Sequence, residues 1–208
     1  MDKMQRFFVG VFVLLLLAGC TGSDEPYLET FDEVGNWRSE SDGETAGFVE
    51  NGAYKLSVAS DVQLVWTTAG EEFGNGRYSV EATQLAGPLD NGYGMLIRVD
   101  DESDNFYAFE ISGDGFAWVG RYANGAEDAP IIGQWWFEAP AVNQGLNVTN
   151  TLAIRAEAGN LIFFVNDQEV GRVTDNTYSR GDIGLMVETL GQGGVEVQFD
   201  NFRVDPLE

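Results

Sequence analysis

From Tyr27 onward the chain is a succession of short runs rich in aromatic and β-branched residues, each closed off by glycine, asparagine or aspartate, and no long helical period interrupts them. The runs predict strands at 27–31, 47–50, 53–58, 63–67, 77–85, 93–99, 106–111, 116–122, 151–156, 161–165, 169–174, 183–188 and 195–204. Asn51-Gly52, Asp114-Gly115, Gly159-Asn160 and Asn166-Asp167 supply the positive φ angles that two-residue hairpins need, so the strands they join are expected to pair antiparallel. Regular short strands with such turns point to an all-β sandwich or barrel. Residues 27–208 read as one such domain, large enough to bury a full core. Asn124 to Asn150 is the longest segment without a clear strand.

The residues ahead of that domain read as an address. Lys3 and Arg6 precede an apolar run from Phe7 to Leu17, too short to span a bilayer, which ends in Leu17-Ala18-Gly19-Cys20. This resembles a bacterial lipoprotein signal, which implies cleavage after residue 19 and a lipid on Cys20. Residues 20–26 then form a lipidated polar tether, and the protein is expected in the bacterial cell envelope, extracytoplasmic and held to the membrane through its anchor only.

Charge and composition remove several functions. The chain has 34 acidic and 11 basic side chains, a net charge of −23, no histidine and one cysteine. Histidine-based triads, histidine-ligated metals, zinc-cysteine sites and internal disulfides are therefore excluded. So acidic a chain repels phosphates, and no nucleic acid partner is expected. Without Asp2, Lys3 and Arg6 of the leader, 33 acids remain against 9 basic side chains, of which Lys55 is the only lysine. What is left is carboxylate chemistry or binding, and no cofactor is required.

Three strands meander through residues 92–122: Gly-Tyr-Gly-Met-Leu-Ile-Arg, Asn-Phe-Tyr-Ala-Phe-Glu-Ile and Asp-Gly-Phe-Ala-Trp-Val-Gly-Arg-Tyr. Together with Leu-Ile-Phe-Phe-Val-Asn-Asp-Gln-Glu-Val, Gly-Asp-Ile-Gly-Leu and the closing Phe-Asp-Asn-Phe-Arg-Val, this pattern resembles the concanavalin A-like lectin/glucanase superfamily. Within it, the chain is most similar to laminin-G-like modules and to 3-keto-disaccharide hydrolase-like domains. The resemblance covers residues 27–204 and implies an antiparallel jelly roll of two sheets, one concave and often sugar-facing.

The glucanase motif of that superfamily, Glu-x-Asp-x-x-Glu, is absent here. Glycosidases hold two carboxyls roughly 5–5.5 Å or roughly 6.5–9.5 Å apart. Acids at i and i+2 on a strand would lie about 6.6 Å apart, whereas Glu196 and Asp200, four residues apart, are separated by about 13 Å. Pairs such as Asp100/Glu102 fall in turns. If the chain is an enzyme, the carboxyls left to it are Glu81, Glu110 and Glu188, paired across strands.

For binding, alternation places Tyr107, Phe109 and Ile111 on one face and Phe106, Ala108 and Glu110 on the other. Glu81, Arg98, Glu110 and Arg121 then make either a row of solvent-facing ion pairs or a polar platform, with Trp118 or Tyr93 as the aromatic plane beside it. Trp135 and Trp136, consecutive in the long 124–150 segment, point to opposite sides, so at least one ring is expected to be partly exposed. The acidic run from Asp100 lacks the glycine and glutamate of an EF-hand and reads as a hairpin loop. The superfamily resemblance implies instead a structural calcium at Asp200, with carbonyls near Glu29 and Gly52 as companions. The expected function is glycan recognition or cell-surface binding without catalysis, the alternatives being a glycoside-processing hydrolase and a structural protein that docks another envelope protein.

Overall fold

The computed structural model describes residues 25–207. The leader, Cys20 and most of the tether lie outside them. The described chain is entirely β: β1 (Tyr27–Glu29), β2 (Glu40–Ser41), β3 (Thr45–Glu50), β4 (Ala53–Val58), β5 (Gln63–Phe73), β6 (Gly76–Ala86), β7 (Gly92–Asp100) and β8 (Asn105–Ser112). They are followed by β9 (Phe116–Ala123), β10 (Ala126–Pro130), β11 (Phe137–Glu138), β12 (Thr149–Glu157), β13 (Asn160–Val165), β14 (Gln168–Thr174), β15 (Gly181–Thr189) and β16 (Val195–Pro206).

Two antiparallel sheets form. One has the order β14-β13-β12-β6-β16-β4-β3-β2, with β1 beside β16; the other has the order β10-β9-β8-β7-β15-β5, with β11 beside β9. Each expected hairpin is present, β3–β4, β8–β9, β12–β13 and β13–β14 all pairing antiparallel. In the β12–β13 turn the left-handed residue is Ala158 (φ 51°), not the Gly159-Asn160 pair.

The segment expected to lack strands holds two short ones. β10 and β11 both pair with β9, so residues 124–138 double back along the rim of the second sheet. That return brings Ile131 and Ile132 against the core and leaves Trp135 55% exposed.

The main core lies between the sheets. Tyr93, Met95 and Ile97 of β7, Tyr107, Phe109 and Ile111 of β8, and Ile183, Leu185 and Val187 of β15 meet Tyr78 and Val80 of β6, Leu152 and Ile154 of β12, and Phe199 of β16. Their alternation fixes the opposite face of the second sheet, which carries a separate apolar cluster of Leu96, Val99, Phe106, Ala108, Trp118, Tyr122 and Met186.

Candidate functional site

That second face holds the candidate site. Its rows follow from the register: Trp66, Met186, Gly94, Glu110 and Trp118 lie side by side across β5, β15, β7, β8 and β9. Leu64, Glu188 and Gly92 form the next row. On the other side Leu96, Ala108 and Gly120 align, and Phe106, Tyr122 and Glu127 close the face toward β10.

Large rings stand over a floor of small residues. Trp118 lies down over Gly120, where an added Cβ would collide with its indole. Phe106 and Tyr122 stack at 4.6 Å, Trp118 meets Tyr122 edge-on at 6.3 Å, and Trp66 reaches to 5.6 Å from Phe106. Two strands separate β5 from β8, about 14 Å across a flat sheet, so this face curls inward and its rings lean toward one another. Trp136, on the β10–β11 return, covers the far end with its ring 3.2 Å from where a Gly92 Cβ would be.

Three carboxyls sit among these rings. Glu110 bends across Gly92, the residue opposite Glu188, so the two acids of neighbouring rows approach each other over a glycine. Glu110 is completely buried, and neither of its carboxyl oxygens has a hydrogen-bond partner. Burial raises it well above the ordinary carboxyl range, with Glu188 and Glu127 adding repulsion. Glu188 is half-buried and pushed up to about 7, by desolvation first and by Glu127 second. Glu127 stands at the rim and is raised by partial burial. The Tyr122 phenol is raised by burial and then by all three carboxyls, so it keeps its proton. No basic side chain is paired with any of the three carboxyls among the described residues.

A scan against protein-family models matches residues 28–205 to the 3-keto-alpha-glucoside-1,2-lyase-like domain. The chain belongs to that family. None of the curated proteins matches it. Among solved structures it is similar to the carbohydrate binding module CBM66 from Bacillus subtilis, at 19% identity and TM-score 0.63, covering 81% of this chain and 94% of that one. It is also similar to a prokaryotic beta-1,3-1,4-glucanase (lichenase) derived from a mouse hindgut metagenome, at 15% identity and TM-score 0.67, covering 88% and 99%. A Bacillus licheniformis beta-glucanase matches at 13% identity and TM-score 0.65, covering 88% and 98%. These likenesses place the family member in the concanavalin A-like jelly-roll fold.

The fold distributes the sequence-derived candidates unevenly. Glu110, Glu188, Trp118 and Trp136 come together on the concave face. Glu81 does not, because β6 crosses into the other sheet, where Glu81 accepts from the Asn201 amide at 3.2 Å. The expected row of Glu81, Arg98, Glu110 and Arg121 is therefore not formed. A bulge with φ 55° at Arg98 breaks the alternation and turns its guanidinium inward, where it donates to the carbonyls of Tyr178 (2.8 Å) and Ala158 (3.0 Å). Arg121 shares the core-facing side with Val119 and is held by Asp128, Asp175 (2.6 Å) and Thr177 (2.7 Å) at the sandwich margin. Tyr93 packs wholly in the main core and presents no plane to a ligand. Trp135 is the exposed ring of its pair, but it is Trp136 that packs against the site.

Sequence reasoning placed Phe106 on the face of Glu110 without naming it a site residue, and passed over Trp66, Tyr122 and Glu127. The readable signal was glycine at alternate positions: Gly92 and Gly94 on β7, and Trp118 followed two residues later by Gly120. Such spacing clears one face of a strand for large neighbours to lie on.

At Asp200 the surroundings are acidic, with Glu81 and Asp32 both raising its carboxyl after burial does. One Asp200 oxygen accepts from the Asn201 backbone at 2.6 Å, and Gly52 stands beside Asp32. No group of three acidic side chains close enough to hold a metal occurs among the described residues. Oxygen donors with no basic partner suit calcium and not zinc, and a calcium here would need backbone carbonyls to complete its shell.

Proposed function

We propose that this protein binds carbohydrate on the concave face of its second sheet and acts as a glycan-recognition module held in the bacterial envelope by a lipid on Cys20. The observation that carries this reading is the belt of Trp66, Phe106, Tyr122, Trp118 and Trp136 around Glu110 and Glu188. Phe106, Trp118 and Tyr122 are themselves buried and back the face, while the partly exposed Trp66 and Trp136 offer the apolar ring faces against which sugar rings pack and the half-buried Glu188 offers directional hydrogen bonds to hydroxyls. Membership of a family named for a glucoside lyase, and a fold shared with a carbohydrate binding module and with glucanases, support a carbohydrate ligand.

One feature favours a catalytic second reading. Two carboxyls of raised pKa approach one another over Gly92, Glu110 pushed well above the ordinary carboxyl range by burial and Glu188 pushed up to about 7. Elimination across C1 and C2 of a 3-keto-glucoside removes the C2 proton, made acidic by the adjacent ketone. Its electron pair forms the C1–C2 double bond as the C1–oxygen bond breaks, and the departing oxygen takes a proton. In this reading Glu188 is the base and Glu110 the acid, a division set by their different burial.

A glycan array followed by calorimetry with the full chain tests both. Saturable binding to one glycan class, weakened at least tenfold by Trp136→Ala and unaccompanied by product, supports recognition. Product formed from a 3-keto-glucoside and lost in Glu188→Gln establishes the enzyme. A protein that binds no saccharide, or binds one with no effect of Trp136→Ala, overturns the assignment of the concave face.

A further inference from the structure

The concave site pairs aromatic faces with carboxyls that lack any counterion within the protein. Glu110 is 0% exposed, aimed into the site and without a hydrogen-bond partner at either oxygen. An unpaired polar group in an apolar setting is costly, and the described residues supply nothing to satisfy it. The basic side chains are committed elsewhere: Arg98 to backbone carbonyls on the core side, Arg121 to Asp128 and Asp175, and Lys55 to Glu50 and Glu196 on the opposite sheet. Glu188 and Glu127 add two more acids at decreasing depth, around the same Tyr122 ring.

A neutral sugar hydroxyl would meet one of these carboxyls with one hydrogen. An ammonium group carries three N–H donors and a full charge, and it is also drawn to the faces of tryptophan and tyrosine. An anionic sugar would be repelled by whichever of these carboxyls are ionised. Resting on the reading that this face binds carbohydrate, we propose that its preferred ligand is a saccharide bearing a free amino group, the ammonium settling among Glu110, Glu188 and Glu127 against Trp118, Tyr122 and Trp136. Trp136 covers the carboxyls and is only partly buried, so admitting the ammonium to Glu110 requires that ring to turn aside.

Calorimetric titration of the full chain with three disaccharides tests this: β-1,4-linked glucosamine disaccharide, its N,N′-diacetyl form and cellobiose. The titrations run at pH 7 in about 0.5 M NaCl, where the screening length falls below about 5 Å and general attraction to an acidic surface is suppressed. The expected result is at least tenfold tighter binding of the free amine than of the other two. Glu188→Gln and Glu110→Gln should each erase that preference, while Glu157→Gln, an exposed acid on the other sheet, should leave it intact. Because removing an unpaired buried acid relieves repulsion, both site variants are expected to stay folded, which melting curves check. Equal or tighter binding of a neutral disaccharide, or a preference that survives both site substitutions, overturns the amine assignment and leaves carbohydrate binding standing. Absence of binding by all three, with a blank array, removes both.

Discussion

Glu110 and Glu188 show how a single environment turns ordinary acids into a pH-sensitive pair. Both are raised relative to an unfolded chain, so the folded state holds protons that the unfolded state releases once the pH passes about 4.5. Stability contributed by Glu188 is therefore complete in acid, declines as the pH rises from about 4.5 through about 7, and stays lost above; that of Glu110 is likewise complete in acid and lost as the pH rises. The Glu110→Gln, Glu188→Gln double variant should unfold at higher urea than the parent at pH 8 and show a flatter pH profile between pH 5 and 7. An unchanged profile would mean that the pair is not coupled to folding.

At the scale of the strand, the site depends on glycines that let neighbouring side chains lie flat. On β9, Trp118 occupies the space in which a side chain at Gly120 would stand, and the indole is only 3% exposed, so it has little freedom to move. Gly120→Ala should cost about 1–3 kcal/mol by overpacking and should weaken glycan binding by tilting the Trp118 plane. Urea unfolding and the array read the two effects separately, and a neutral substitution would show that the ring has another resting place. Bulges do the opposite work. The register shift on β7 between Ile97 and Asp100 takes Arg98 off the outer face and spends it on two carbonyls, which is why the outer face keeps acids and loses its expected cation.

For the whole molecule, a net charge of −23 on 208 residues sets the compact state against its own repulsion. Raising NaCl from low concentration toward about 1 M should increase the melting temperature, since screening acts on every exposed acid pair. Calcium compared at equal ionic strength separates general screening from a bound ion: we propose an additional rise that Asp200→Ala removes. A melting temperature indifferent to salt would overturn the first expectation, and a calcium effect no larger than that of sodium would overturn the second.

What the sequence determined by itself was the fold class, through alternation and turn chemistry: both are local, so the hairpins at Asn51-Gly52 and Asn166-Asp167 and the outward direction of Glu110 follow from residues a few positions apart. The family resemblance was legible for the same reason, as an order of strands. The site was decided by tertiary structure. Glu110 meets Glu188 because β15 inserts beside β7, some ninety residues earlier in the chain, and Glu81 is lost from the group because β6 belongs to the other sheet. Which carboxyl is buried, which basic residue is drawn away and which rings converge depend on non-local register and curvature, and those arise only when the two sheets close on their shared core.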